Sequence, residues 1–351
     1  MKVTNRSVRV NRQSISLSDV YTIRNTMRNE SAKKLEISLC SVHEDHLIQL
    51  FQECDEYLLD LQDLSLTGLG LTDKSAHVLS VAMQQCPLKR VDLSANLIGS
   101  MGLKYLASGL LDSGLEILNL ARNQIGNRGV EYLAKILVEM KLESSLSKVN
   151  LSSNQIEEDG WIALACCLYH TRIKHLELDE NTLTPCALEE LSKEICIQRR
   201  MEHLSLKGTG LTDASIPALI QMIQSCPLER LNLDANQFTD KGMADLVQAI
   251  ETSRTLEELS LKGNMNLSNI SGKLLYEATM THYSLRSILL DDTRIEIKTR
   301  QSIQNRLKVI HTERSKVMIV LCGVYKIPRL FTKSSLTCIP MDLMRYLRDF
   351  I

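Results

Sequence analysis

Aromatic residues are scarce in this chain: four Phe, nine Tyr and one Trp, 4% of 351 residues. So few rings argue against a compact enzyme core, where aromatic side chains supply much of the buried area. Net charge is nearly absent as well. The 41 basic and 42 acidic residues leave −1, so the total points to neither nucleic acid nor a membrane surface. No apolar run reaches the roughly 18 residues that a membrane span needs. No apolar stretch follows Met1–Arg6, so no secretory signal is expected. None of the ten cysteines forms a Cys-x-x-Cys pair, and reduced thiols in a cytoplasmic protein are the expectation. Cys and His are not clustered at zinc-ligand spacing, so no metal or other cofactor is expected. Glycine-rich phosphate loops, Gly-x-Ser-x-Gly and His-Glu-x-x-His are all missing, and the chain reads as a non-enzyme.

Leucine is abundant, 58 residues or about one in six. It recurs in one frame, Leu-x-x-Leu-x-Leu-x-x-Asn-x-Ile. That frame fits Leu88-Val91-Leu93-Asn96-Ile98, Leu115-Leu118-Leu120-Asn123-Ile125 and Leu146-Val149-Leu151-Asn154-Ile156. It also fits Ile173-Leu176-Leu178-Asn181-Leu183 and Leu228-Leu231-Leu233-Asn236-Phe238. Looser copies start at Leu61, Met201, Leu256 and Leu285, and a decayed one surrounds Ile37 and Leu39. The starts from Leu61 to Leu285 average 28 residues apart.

Alternating apolar residues at the fourth and sixth positions predict a short strand with those side chains inward. The Asn can bond backbone groups left free where the strand turns. Sets such as Leu103-Leu106-Leu110, Val130-Leu133-Leu137 and Trp161-Leu164-Leu168 then follow at the period of a helix with one buried stripe. Trp161 and at least one of Cys166 and Cys167 therefore belong to the core. Asp73, Asp213 and Asp240 stand where helix N-caps are expected. Gly102, Gly129, Gly160 and Gly242 share one register, which suggests close packing. A single strand–turn–helix unit cannot bury its apolar face alone and must stack on neighbours. The stretch Ser65–Asp73 matches Ser205–Asp213, and Cys86-Pro87-Leu88 matches Cys226-Pro227-Leu228, at an offset of 140 residues. Such an offset is five periods, as a duplicated block or shared packing demands would give.

Residues 35–310 resemble the leucine-rich repeat family, and the long period resembles its ribonuclease-inhibitor-like class. That likeness implies an α/β solenoid of about nine to ten repeats, a curved horseshoe with a parallel sheet on the concave face and helices on the convex face. The founding inhibitor alternates two repeat types with Cys at the Asn position. This chain has Asn there, or Thr209 and Leu69.

Residues 1–34 fall outside the frame and are read as an N-terminal cap, with a short helix from Asp19 to Met27. Residues 311–351 depart as well. Val317–Cys322 is apolar, Lys326–Lys333 is a basic connector, and Ile339–Ile351 reads as an amphipathic helix opened by Pro340. A C-terminal cap is the expectation. The alternative is an adaptor-like tail. Met318, Cys322, Ile339-Pro340-Met341 and Tyr346-Leu347 resemble the SOCS-type and F-box-like boxes that recruit ubiquitin-ligase adaptors.

Charge is segregated along the chain. Residues 1–34 carry eight basic and two acidic groups, residues 294–333 ten and two, and residues 35–293 21 and 36. The frame also assigns the outward columns of the sheet. The central one contains Asp92, Asn119, Asn150, Glu177 and Asn232, and the next one Asp179 and Asp234. Glu177, Asp179 and Glu180 form the densest acidic cluster. These eight are the candidate partner-binding residues. The outward columns hold no aromatic side chain, so charge and hydrogen bonds would have to carry binding. The expected function is non-enzymatic binding of a protein partner, a basic one by charge, with no nucleic acid or membrane involved. The rival readings are a substrate receptor of a cullin-type ubiquitin ligase and a GTPase activator. The second follows by analogy with the Ran GTPase-activating protein and would use a loop arginine such as Arg122. An effector acting in a host cytoplasm is compatible with the same features.

Overall fold

The computed structural model describes residues 2–4, 6–10, 14–38, 40–52, 60–111, 113–140, 144–282 and 284–325, the last thirteen as backbone alone. Two compact units divide the chain after Thr209. The first begins β1 (Lys2–Thr4), β2 (Ser7–Val10), β3 (Ser14–Ile15), α1 (Leu17–Glu30), β4 (Lys34–Ser38), β5 (Ser41–Val42), α2 (Glu44–Gln52). It continues β6 (Asp63–Thr67), α3 (Asp73–Gln85), β7 (Arg90–Asp92), α4 (Ser100–Leu110), β8 (Ile117–Asn119), α5 (Gly126–Met140). It ends β9 (Lys148–Asn150), α6 (Glu158–Leu168), β10 (His175–Glu177), α7 (Pro185–Gln198), β11 (His203–Ser205). From β2 onward its main sheet is parallel, in the order β2-β4-β6-β7-β8-β9-β10-β11, and β1 adds to β2 antiparallel. The second unit holds a 3-10 turn (Asp213–Ser215), α8 (Ile216–Ser225), β12 (Arg230–Asn232), α9 (Asp240–Thr252), β13 (Glu258–Ser260), α10 (Asn269–Thr281), β14 (Ser287–Leu289) and α11 (Ile297–Tyr325). There β12, β13 and β14 are parallel neighbours. Both units are α/β solenoids of strand–turn–helix repeats, with a core of inward strand residues and helix stripes. Leu106, Leu133, Leu164, Leu191, Leu219 and Leu246 are all buried. Trp161 is fully buried too, and its Nε1 donates to the Thr182 carbonyl at 2.8 Å.

The strand-to-turn corner is held by the repeated Asn. Buried Asn154 donates from Nδ2 to the carbonyls of Leu120, Leu151 and Ser152, and its Oδ1 accepts from Ile125 N. One side chain thus satisfies turns of two successive repeats. Asn96, Asn123 and Asn181 do the same in this unit, and Asn264 donates to Leu233 and Leu261 carbonyls in the second. A cysteine does stand once at this register: Cys40 donates weakly from Sγ to the carbonyls of Val10 and Ser38. The residue before the Asn turns left-handed, with φ of 58° at Ala95 and Arg122, 53° at Ser153 and 57° at Glu180.

Asp73, Asp213 and Asp240 are not N-caps of their own helices. Thr72, Thr212 and Thr239 hold those positions, and the Thr72 and Thr239 side chains make the bond. The aspartates sit one residue further in and reach sideways to the next repeat. Asp73 Oδ1 accepts from Gly99 N at 2.7 Å, Asp213 Oδ1 from Thr239 N at 2.8 Å and Asp240 Oδ1 from Ser268 N at 2.9 Å. Glu44 plays this part toward Thr72 and Ser75, and Asn127 toward Glu157. The shared glycine register leaves room for the capping group: a Cβ on Gly102 would meet the Asp73 carboxylate.

Residues 1–34 hold more than a helix. β2 lies in repeat register beside β4, with Val8 opposite Leu35 and Val10 opposite Ile37, and both valines are buried. α1 is longer than read from the sequence and opens with a capping box between Ser16 and Asp19. At the other end, α11 buries Ile303, Leu307 and Ile310, and its Gln304 donates to the Ile288 carbonyl of β14. Met318 and Cys322 of the box reading fall within α11, whereas its Ile339–Met341 and Tyr346-Leu347 elements, like the amphipathic stretch, lie outside the described residues. Among those described, no helix is long and apolar enough to cross a membrane.

Two outcomes follow from these bonds. Asn154→Ala strands buried groups of two turns and should cost about 2–4 kcal/mol, whereas Asn119→Ala on the outer face should cost about 0.5 kcal/mol or less, both read from urea denaturation. The second outcome concerns acid. Burial raises the Glu44 carboxyl, but bonds from Ser75 and Thr72 together outweigh it and hold it below its ordinary 4.5. Asp240 is lowered from 3.8 in the same way by Ser268 and Ser271. A lowered carboxyl stabilises the fold above its unfolded value and ceases to do so as pH falls through the folded one. Urea midpoints should therefore drop from about pH 5 to pH 3, with a shallower slope in Glu44→Gln. An identical slope in that variant would remove Glu44 from the account.

Candidate functional site

The outward side of the first unit's sheet carries a shallow depression of about 360 Å³, floored by β4 and β6–β10. Its lining includes Lys34, Glu36, Asp63, Arg90, Asp92, Ile117, Asn119, Lys148, Asn150 and Glu177. Alternation along each strand turns these side chains to solvent while Leu64, Val91, Leu118, Val149 and Leu176 are buried. Of the eight residues expected to bind a partner, Asp92, Asn119, Asn150 and Glu177 meet here.

Most charges in the depression are matched across neighbouring strands. Arg90 Nη2 lies 2.8 Å from Asp63 Oδ2, Arg9 2.8 Å from Glu36, and Lys148 Nζ 2.5 Å from Glu177 Oε1. Glu177 also accepts from Asn150 Nδ2 at 2.5 Å. Asp92 bonds locally, its Oδ1 accepting from Ser94 N at 3.0 Å and Ser94 Oγ at 2.6 Å. Asn119 Oδ1 accepts from Ala121 N, but its Nδ2 has no hydrogen-bond partner among the described residues. The centre of the face is therefore neutral, Ile117, Asn119 and Asn150, between ion pairs. This pairing of acids with bases on neighbouring strands was not foreseen from the sequence. Partners stand 27 to 29 residues apart, one repeat, which is the signal that could have found them.

Asp179 and Glu180 do not line the depression. Asp179 Oδ1 accepts from Ser205 Oγ at 2.5 Å and from Lys207 N at 2.9 Å. Burial pushes its carboxyl up despite those bonds. Glu180 accepts from Ser153 Oγ at 2.8 Å. Asn232 and Asp234 belong to the second unit, where the Asp234 backbone N donates to Asn232 Oδ1 at 3.0 Å and the Asp234 carboxylate accepts from Lys262 N at 2.8 Å. On the same face of the first unit, His175 and His203 stack edge to face, centroids 4.1 Å apart, with Glu202 Oε2 3.7 Å from His175 Nε2. Arg122, the loop arginine of the GTPase-activator reading, is exposed at a left-handed turn, its backbone N bonded to the Ser152 carbonyl. Burial pushes the Cys167 thiol up to about 12, which makes it an inert core residue.

The leucine-rich repeat family profile matches residues 115–134, 144–165 and 224–247. Ribonuclease inhibitor of Sus scrofa is 32% identical over 228 residues, covering 63% of this chain and 49% of the inhibitor. Protein CARMIL of Dictyostelium discoideum is 31% identical over 242 residues, 66% of this chain and 23% of that protein. Among solved structures, an internalin of Listeria monocytogenes aligns with a TM-score of 0.47 at 18% identity, covering 79% of this chain and 73% of the internalin. The chain spans about half the length of the ribonuclease inhibitors it matches. Frame, buried Asn corners, parallel sheet, the family profile and the ribonuclease inhibitors agree: the chain belongs to the leucine-rich repeat family, in its ribonuclease-inhibitor-like class.

Proposed function

We propose that this chain is a non-enzymatic protein-binding module whose partner seats on the outer sheet face of the first unit. The carrying observation is the depression in which a neutral centre of Ile117, Asn119 and Asn150 lies between cross-strand ion pairs. Ready-made pairs at the rim give orientation and specificity more than raw affinity. The open amide of Asn119 offers a hydrogen bond that a partner's carbonyl could take. Because Arg90 and Lys148 already accompany the acids, a partner presenting both signs of charge fits better than a purely basic one. That relatives of this class include a protein named for inhibiting a ribonuclease supports a binding role over a catalytic one.

Affinity capture with the full chain, run beside a variant carrying Asn119→Arg and Asn150→Arg, tests the reading. A specific partner should be recovered about tenfold less by the variant, equivalent to about 1.4 kcal/mol of binding, at an unchanged melting temperature. Equal recovery by both would move the contact off this face.

A further inference from the structure

We propose that the helix layer of the first unit carries a second docking surface, on α3, α4 and α5, for an acidic segment of a protein partner. Tyr105 and Tyr132 each stand three residues beyond the packing glycines Gly102 and Gly129, so adjacent helices present them at one register, half-buried. The His77 ring meets Tyr105 edge-on at 4.7 Å. Lys104 Nζ lies 5.3 Å and Lys135 Nζ 5.8 Å from the Tyr132 ring centroid. The ring's negative face attracts each ammonium, yet the two repel one another. Neither makes an ion pair among the described residues, although Glu131 and Glu139 lie on the same helix as Tyr132.

Several other cations of this unit do have carboxylate partners, among them Lys34, Lys74, Lys89, Arg90, Lys148, Lys174 and Lys193. The two lysines share one ring, which makes them a positive focus in a stretch, residues 35–293, that is strongly acidic overall. A carboxylate between them would cancel their repulsion. An apolar side chain beside that carboxylate would lie on the tyrosines, and Val81 on α3 and Val138 on α5, each about two-fifths exposed, add apolar surface to the same helices. Tyrosines edged by charge are what protein-binding hot spots favour, and the outer sheet face has none. A polyanion fits less well. Nucleic acid is held by stripes of many basic residues, whereas this patch offers two lysines amid Glu131 and Glu139.

The test uses the full chain and a short fluorescent peptide in which glutamates flank a Phe-Leu pair, followed by anisotropy. The same peptide with lysines for glutamates, a single-stranded oligonucleotide and phosphatidylserine vesicles are the other probes. Saturable binding of the glutamate peptide is expected, weakened about tenfold or more by Lys104→Glu with Lys135→Glu. Tyr132→Leu, which keeps an apolar contact but removes the ring face, should weaken it less. The Asn119→Arg, Asn150→Arg variant should bind this peptide normally, which separates this surface from the sheet face. No saturable binding, equal affinity for the lysine peptide, or full affinity in a double variant with an unchanged melting temperature would overturn the proposal. Preference for the oligonucleotide or the vesicles would overturn it equally.

Discussion

A buried amide that recurs at one register in most repeats governs this architecture. Where a strand leaves the sheet, its backbone turns inward and loses its ladder partners, and buried amide groups left unpaired are costly. A carboxylate at that point could not donate, and an ammonium could not accept. Asn does both on a short stem, so Asn96, Asn123, Asn154 and Asn181 each close their own corner and brace the one before it. The geometry then demands a left-handed residue just ahead, where Gly68 and Gly208 are at ease and Ala95 and Ser153 bear strain. With corner and strand fixed, the direction of every outward side chain is fixed too, and a flat polar face results without any residue being placed for function.

A second set of cross-repeat bonds acts at the helix starts. Free N–H groups and the positive end of the dipole favour an acceptor there. Here the acceptor comes in part from the previous repeat: Glu44, Asp73 and Asn127 in the first unit, Asp213, Asp240 and Asn269 in the second. At this register the receiving helix either is bare, as at Gly102, Gly160 and Gly242, or meets the neighbour's carboxylate with a serine, as at Ser75 and Ser271. Each repeat is thus tied to the next at both ends of its strand–helix connection. A nearest-neighbour array gains order from such ties, since no repeat touches a distant one.

This pattern also explains what could be read from the chain and what could not. Inward leucines and the Asn recur at one period, so strands, helix stripes and repeat class were legible. Val8 and Val10 escaped because a two-valine strand with Gln13 at the register of the Asn carries too little of the frame, although its pairing with β4 is regular. Cys40 escaped because the copy around it has decayed. Asp73 looked like an N-cap because local spacing shows only its own helix, while its bond goes to Gly99, 26 residues on. The candidate site was legible as a set of outward positions, and four of the eight residues gather in the depression. Its electrostatics were not, because summed charge says nothing about which acid faces which base.

Acids on a repeat surface therefore serve two masters, and the division can be seen residue by residue. Asp179 and Asp234 point outward by register, yet each spends its carboxylate on the hydroxyl and backbone of the next repeat. Taking either away would loosen the array before it altered any contact with a partner. Glu177 is paired with Lys148 and Asn150, but at a rim about one-third exposed, where an ion pair contributes little to stability. Such pairs can exchange partners at small cost. A surface built this way can change its recognition at Arg90, Lys148 and Glu177 while its corners, caps and glycines stay as they are. The residues available for binding are those left over once the scaffold's own hydrogen bonds have been satisfied.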